Sequence, residues 1–89
     1  MARVVFTSHL QRHVSCPEKT VDGSTVREAL DRVFADNEPL RGYIVDERHR
    51  LRKHVVIFID GEVIRDRNGL SDPITDRSEV YVMQALSGG

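Results

Sequence analysis

The chain contains a single cysteine, Cys16, so no internal disulfide can brace it and the fold must rest on its apolar core. Cys16 reads as a small half-buried side chain beside Pro17. The alternative, a reactive thiol, requires a lowered pKa that no sequence pattern announces. No stretch approaches the roughly 20 apolar residues of a membrane span. The opening MARVVFTSHLQRH turns polar too early for a secretory leader, which makes the cytoplasm the expected location. An excess of positive charge is also missing. The net charge is −1, which argues against nucleic acid as the main partner, because phosphate binding needs a basic field. There are no repeats and no low-complexity linkers. Nothing pairs a nucleophile with its base, forms a phosphate-cradling glycine loop or reads as a nucleotide fingerprint. With 89 residues, the chain is expected to form one small domain that buries roughly 60–65% of its unfolded surface. It is too short to enclose an ordinary active-site cleft, so it is expected to be acted on rather than to catalyse.

What is present is a regular succession of elements. Arg3–Thr7 is β-branched and aromatic and reads as an opening strand. A second extended segment is expected within His13–Val21, joined to the first by a turn at Leu10–Arg12, with Pro17 at an edge or bulge. After the Asp22-Gly23 turn, Thr25 and Glu28 form a capping box. Val26, Ala29, Leu30, Val33 and Phe34 then recur at helical spacing, predicting a helix over about 25–35 that Asp36-Asn37 ends and Pro39 blocks. Gly42–Lys53 reads as a polar connector with a short apolar run at Tyr43–Val45. His54–Ile59 is nearly continuously apolar, as a buried central strand would be. Asp60-Gly61 is a tight-turn dipeptide leading into a short strand at Glu62–Ile64. A loop follows over Arg65–Arg77, with Leu70 and Ile74 tucked beneath it, and Glu79–Ala85 is the last strand. Five strands and one main helix predict an α+β fold, a mixed sheet packed over that helix.

Several residue groups are candidates for a site. His9 and His13 flank a predicted turn, where a spacing of four does not place them on one face. His49 and His54 bracket a charged loop, with no cysteine or paired carboxylate to complete a ligand set, so no metal is expected. Arg48, Arg50, Arg52 and Lys53 form a basic cluster, either a solvated loop or a patch for an acidic partner, with Asp46 and Glu47 diluting its field. Asp60, Glu62 and Asp66 read as solubilising. Val56, Phe58, Tyr81 and Met83 are candidates for an outward, partner-binding sheet face. Tyr81 and Met83 share a face because they lie two apart. The alternative is that they pack inward on Leu30 and Phe34.

The chain closes on QALSGG, two glycines that pack nothing after a strand. This ending, the helix opening Thr25-Val26-Arg27-Glu28-Ala29-Leu30, the segment Val56-Ile57-Phe58-Ile59-Asp60-Gly61 and the approach Ser78-Glu79-Val80-Tyr81-Val82 resemble the MoaD/ThiS-type sulfur carriers. These are the ubiquitin-like β-grasp proteins that include the molybdopterin synthase small subunit and the thiamine sulfur carrier. The longer connector GYIVDERHRLRK resembles that of the subgroup serving amino-acid sulfur transfer. The resemblance implies a β-grasp domain over residues 1–85 and a flexible tail over 86–89.

It also implies the chemistry. A partner adenylating enzyme transfers AMP from ATP to the Gly89 carboxylate. A sulfur donor such as a rhodanese or cysteine desulfurase converts the acyl-adenylate to a thiocarboxylate, and a downstream enzyme accepts the sulfur. Gly89 is then the covalent attachment point, Gly88 gives clearance, and Leu86 and Ser87 are docking contacts. No cofactor is bound by the carrier itself. Four extended residues span roughly 13 Å, enough to reach a partner's buried site. Two other readings share the tail: a ubiquitin-like modifier joined to lysines through Gly89, and the small subunit of a molybdopterin-synthase-like complex.

Overall fold

The computed structural model describes residues 1–7 and 18–84. The expected turn at Leu10–Arg12 lies outside those residues, as do His9, His13, Cys16, Pro17 and Leu86, Ser87, Gly88 and Gly89.

Alternation governs the first strand, β1 (Ala2–Phe6), which buries Ala2, Val4 and Phe6 and leaves Arg3 exposed. β2 (Lys19–Val21) runs antiparallel to it, with Ala2 opposite Val21. The helix α1 (Val26–Asp36) carries the predicted stripe: Val26, Ala29, Leu30, Val33 and Phe34 are all buried. Its start departs from a reciprocal capping box. The Thr25 hydroxyl accepts the Glu28 N–H at 3.2 Å, but the Glu28 carboxylate reaches one residue further back, accepting the Ser24 N–H at 2.7 Å and the Ser24 hydroxyl at 2.9 Å.

A second helix, α2 (Glu38–Ile44), occupies the start of the expected polar connector. Pro39 does end α1, yet it sits in the first turn of α2, where its missing N–H costs nothing and its fixed φ suits the helix. Leu40 and Ile44, one turn apart, are fully buried. Then come β3 (Val55–Ile59), β4 (Glu62–Val63) and β5 (Glu79–Gln84). Asp60 and Gly61 both take positive φ, 51° and 88°, as a type I′ hairpin turn demands. The Asp60 carboxylate also accepts the Glu79 N–H at 2.9 Å and so pins the turn to β5; it is a structural acceptor rather than a merely solubilising charge.

The sheet order is β2-β1-β5-β3-β4, with β1 parallel to β5 and the other pairs antiparallel. β5 is therefore the central strand, and β3 lies second from the edge. The expectation that β3 is buried on both faces is corrected accordingly. Val55 and Ile57 are buried, whereas Val56 and Phe58 are only partly so. α1, α2 and the tucked loop residues Leu70 and Ile74 cover one face only. One mixed sheet wrapped over a main helix is the β-grasp arrangement.

The core makes a direct prediction. Leu30 has no exposed surface, and Leu30→Ala removes buried methyls and leaves a cavity. The expected loss is about 3 kcal/mol, a fall in melting temperature of roughly 15 °C for a domain of this size. Thermal unfolding followed by circular dichroism checks it.

Candidate functional site: the outer sheet face and the end of β5

The face of the sheet away from the helices is apolar at its middle. Phe58 stands opposite Tyr81 and Val56 opposite Met83 across the β3–β5 pair. The inward positions on the same strands are Val55, Ile57, Val80 and Val82, all buried. The inward packing of Tyr81 and Met83 on Leu30 and Phe34 is thus ruled out by register: in β5, Val80 and Val82 take the core side. Two residues that the sequence reading passed over extend the patch. Val5 is the β1 neighbour of Tyr81, and Val63, 57% exposed, lies opposite Phe58 on β4. Alternation with the buried Val4 and Phe6 was the available signal for Val5. Towards the β2 edge the patch gives way to charge, where the Arg3 guanidinium pairs with Glu79 and Glu18.

β5 ends at Gln84, which pairs with Val55 at the start of β3. The last described residue of the chain therefore stands beside Val55, at one end of the apolar patch. The candidate tail residues Leu86, Ser87, Gly88 and Gly89 follow from this point and lie outside the described residues.

At this same end the basic cluster takes shape. Asp46, residues 50–54 and residues 65–68 line an open cleft of about 760 Å³. It is built by pinned loops. Arg27, from the first turn of α1, donates to the carbonyls of Gly69 at 2.7 Å and His49 at 2.9 Å, tying both walls to the helix. Asp46 does not dilute the basic field so much as fold its loop: it accepts the N–H groups of Arg48 at 2.9 Å and Arg50 at 3.0 Å. Asp66 accepts the Gly69 N–H at 2.8 Å and the Ser71 hydroxyl, so it too is a loop acceptor. His49 and His54 are exposed, and no group of three potential metal ligands occurs among the described residues.

These acceptors set an acid limit. Hydrogen bonds from Ser24 hold the Glu28 carboxyl below its ordinary value of 4.5. The Arg50 amide holds Asp46, and the Ser71 hydroxyl and Gly69 amide hold Asp66, below their ordinary 3.8. A carboxyl with a lower pKa when folded adds stability above its unfolded value and loses it as pH falls through the folded one. The denaturation midpoint is therefore expected to fall as pH drops below the ordinary carboxylate range, and Asp66→Asn should flatten part of that fall. Urea titrations across acid pH measure it; a midpoint that rises on acidification would contradict it.

Residues 9–89 match the model of the ThiS family. No curated protein matches the chain in sequence. Among solved structures, the chain is similar to a chain of the Amycolatopsis orientalis BexX/CysO complex, at 22% identity over all of both chains with a TM-score of 0.83. It is similar to the small archaeal modifier protein 1 of Methanosarcina acetivorans, at 23% identity over 99% of this chain and 95% of that one with a TM-score of 0.80. Mycobacterium tuberculosis CysO is 20% identical over 97% of this chain and 100% of its own, also with a TM-score of 0.80. At these identities the structural likeness is one of fold. No helix among the described residues is long and apolar enough to cross a membrane.

Proposed function

The chain belongs to the ThiS family, and from that membership we propose that it is a ubiquitin-like sulfur carrier whose Gly89 carboxylate is adenylated and then converted to a thiocarboxylate. The observation that carries this reading is the junction of the apolar patch with the strand that leads to Gly88-Gly89: Gln84 is paired beside Val55, next to Val56 and Met83. A partner that covers Val56, Phe58, Tyr81 and Met83 also stands beside Gln84, from which the tail follows.

On this reading the carrier supplies no catalytic acid or base. A carboxylate is a poor electrophile, so the adenylating partner spends ATP to place AMP on Gly89 and releases pyrophosphate. The terminal sulfur of a persulfide on a rhodanese or cysteine desulfurase attacks the acyl carbon and expels AMP, and a thiol then reduces the resulting acyl disulfide, leaving the thiocarboxylate and a new disulfide. The thiocarboxylate then serves a downstream acceptor enzyme. Ordering the tail costs entropy, so most of the affinity comes from the folded face. CysO of Amycolatopsis orientalis is found in a complex with a second protein, BexX, an arrangement that suits a carrier read through its surface.

Gel electrophoresis with a thiocarboxylate-reactive sulfonyl azide tests the reading. Labelling that depends on ATP, the adenylating enzyme and Gly89 is the expected result. A Gly89-dependent ladder of lysine conjugates in lysate, without labelling, would mark the chain as a protein modifier instead.

A further inference from the structure

The cleft between residues 46–54 and 65–68 is not used by the tail chemistry, yet its charge is organised. Arg50, Arg52, Lys53, Arg65 and Arg67 line it against two carboxylates, Asp46 and Asp66, in a chain whose net charge is −1. Both carboxylates are occupied by the amides of their own loops. Of these five cations only Arg50 has an acidic partner among the described residues, Asp46 at 3.3 Å. Arg52 and Arg67 are held by neutral carbonyls, Arg52 Nε donating to Gly42 at 2.7 Å and Arg67 Nη2 to Arg52 at 2.8 Å. Those bonds fix the guanidinium groups and leave most of their donors unspent. The side chains of Lys53 and Arg65 are exposed and face no acidic partner within 4.0 Å among the described residues. Five cations against two carboxylates, with Arg52 and Arg67 held in place and Lys53 and Arg65 unpaired among the described residues, leave a net positive field that a counter-charge would relieve.

Position narrows what that counter-charge belongs to. Lys53 and His54 immediately precede Val55, the residue paired with Gln84. Arg65 follows Ile64, whose N–H donates to Ile57, so the chain after β4 runs back along β3 towards this end. The cleft, the apolar patch and Gln84, from which the tail follows, therefore adjoin one another. The cleft is broad, and its donors sit on long side chains from two loops, which suits several carboxylates spread along a segment rather than one phosphate. Guanidinium forks bind carboxylates bidentately.

We propose that this cleft is a second docking element, which takes an acidic segment of the adenylating partner and so sets the carrier's orientation while the apolar patch supplies affinity. The proposal rests on the carrier reading for the identity of the partner. Charge at such a rim acts mainly on association and its salt dependence.

Two readouts test it with the full chain. In the first, hexaglutamate peptide is titrated at low salt while amide chemical shifts are followed by NMR. Shifts at residues 50–54 and 65–68, lost in the double variant Lys53→Glu/Arg65→Glu, are expected. Shifts there with tripolyphosphate but not with hexaglutamate, or none with either, overturn the proposal. In the second, ATP–pyrophosphate exchange by the adenylating enzyme is measured with the carrier as substrate. The double variant should raise KM about tenfold with kcat unchanged, and should flatten the dependence of kcat/KM on ionic strength. Arg32→Glu, an exposed change on α1 far in sequence from the cleft, should leave both unchanged. A wild-type KM and salt slope in the double variant refute the proposal. Absence of exchange with the unsubstituted chain counts instead against the carrier reading, and the peptide titration still decides whether the cleft takes carboxylates.

Discussion

Deletion of Gly89 is expected to abolish detectable thiocarboxylate formation while leaving the melting temperature where it was. The two halves of this result have separate causes. Shortening the tail by one residue withdraws the new terminal carboxylate by about 3.3 Å, and a displacement of about 1 Å from reacting geometry already costs about a hundredfold in rate. The carboxylate would then sit short of the ATP α-phosphorus it must attack by several times that distance. Gly89→Ala should retain the reach and still lose activity, by less, because the added methyl stands beside the carbonyl under attack. Stability is expected to hold because the buried core runs from Ala2 to Val82 and a terminal glycine adds no side chain to it. Adenylation measured by pyrophosphate exchange, together with a thermal melt of the same sample, checks both halves. A variant lacking Gly89 that still turns over at the wild-type rate would place the reacting carboxylate elsewhere.

Phe58→Asp is expected to have the second largest effect, on binding rather than on reach. Phe58 lies within the apolar patch, with Tyr81 opposite on β5 and Val63 opposite on β4. Its side chain is on the outer face, so the substitution opens no cavity in the core. The fold loses a cross-strand aromatic pair, worth up to about 1 kcal/mol. A partner that buries this face would meet an unpaired carboxylate where it needs an apolar surface. Central interface residues of this type cost about 2–4 kcal/mol when lost, which is roughly thirty- to thousandfold in affinity. Calorimetric titration with the adenylating enzyme should show that loss, and a melt should show the variant folded. An unchanged Kd would remove the outer face from the docking surface. Tyr81→Asp, one strand over, should behave alike, whereas a charge at the inward neighbour Val80 should unfold the protein.

The contrast between Phe58 and Val80 also shows what could be read in advance. Helix α1 was legible because three signals agree: the Thr25 cap, the spacing from Val26 to Phe34, and Pro39 as a stop. Helix α2 was not, because seven residues with a glycine inside them carry an apolar stripe of only two buried members, Leu40 and Ile44. Pro39 both stops one helix and starts the next, so a single residue carries two opposite signals.

The facing of β3 was illegible for a different reason. Val55 to Ile59 is apolar at every position, so alternation gives no phase. Only the pairing of Ile57 with Val82 decides it. An apolar residue on the outer face looks like core until the sheet is assembled. The basic cleft required tertiary structure outright. Arg48 to Lys53 stood out as a cluster, but Arg65 and Arg67 join it only because the chain after β4 returns along β3. Asp60 and Asp66 looked like solubilising charge, and Asp46 like a diluent of the basic field, because the amides they accept from belong to loops whose shape they themselves impose. The terminal Gly88-Gly89 was the reverse case, a signal carried entirely by the sequence.

The central claim is that the terminal carboxylate of this chain is the group that carries sulfur. Intact-mass spectrometry after incubation with ATP, the adenylating enzyme and a sulfur donor tests it most directly. The account predicts a gain equal to the difference between one sulfur atom and one oxygen atom, localised by fragmentation to Gly89 and absent without ATP. An unchanged mass in the presence of an enzyme shown to adenylate the chain, or a sulfur adduct on any other residue, would contradict it.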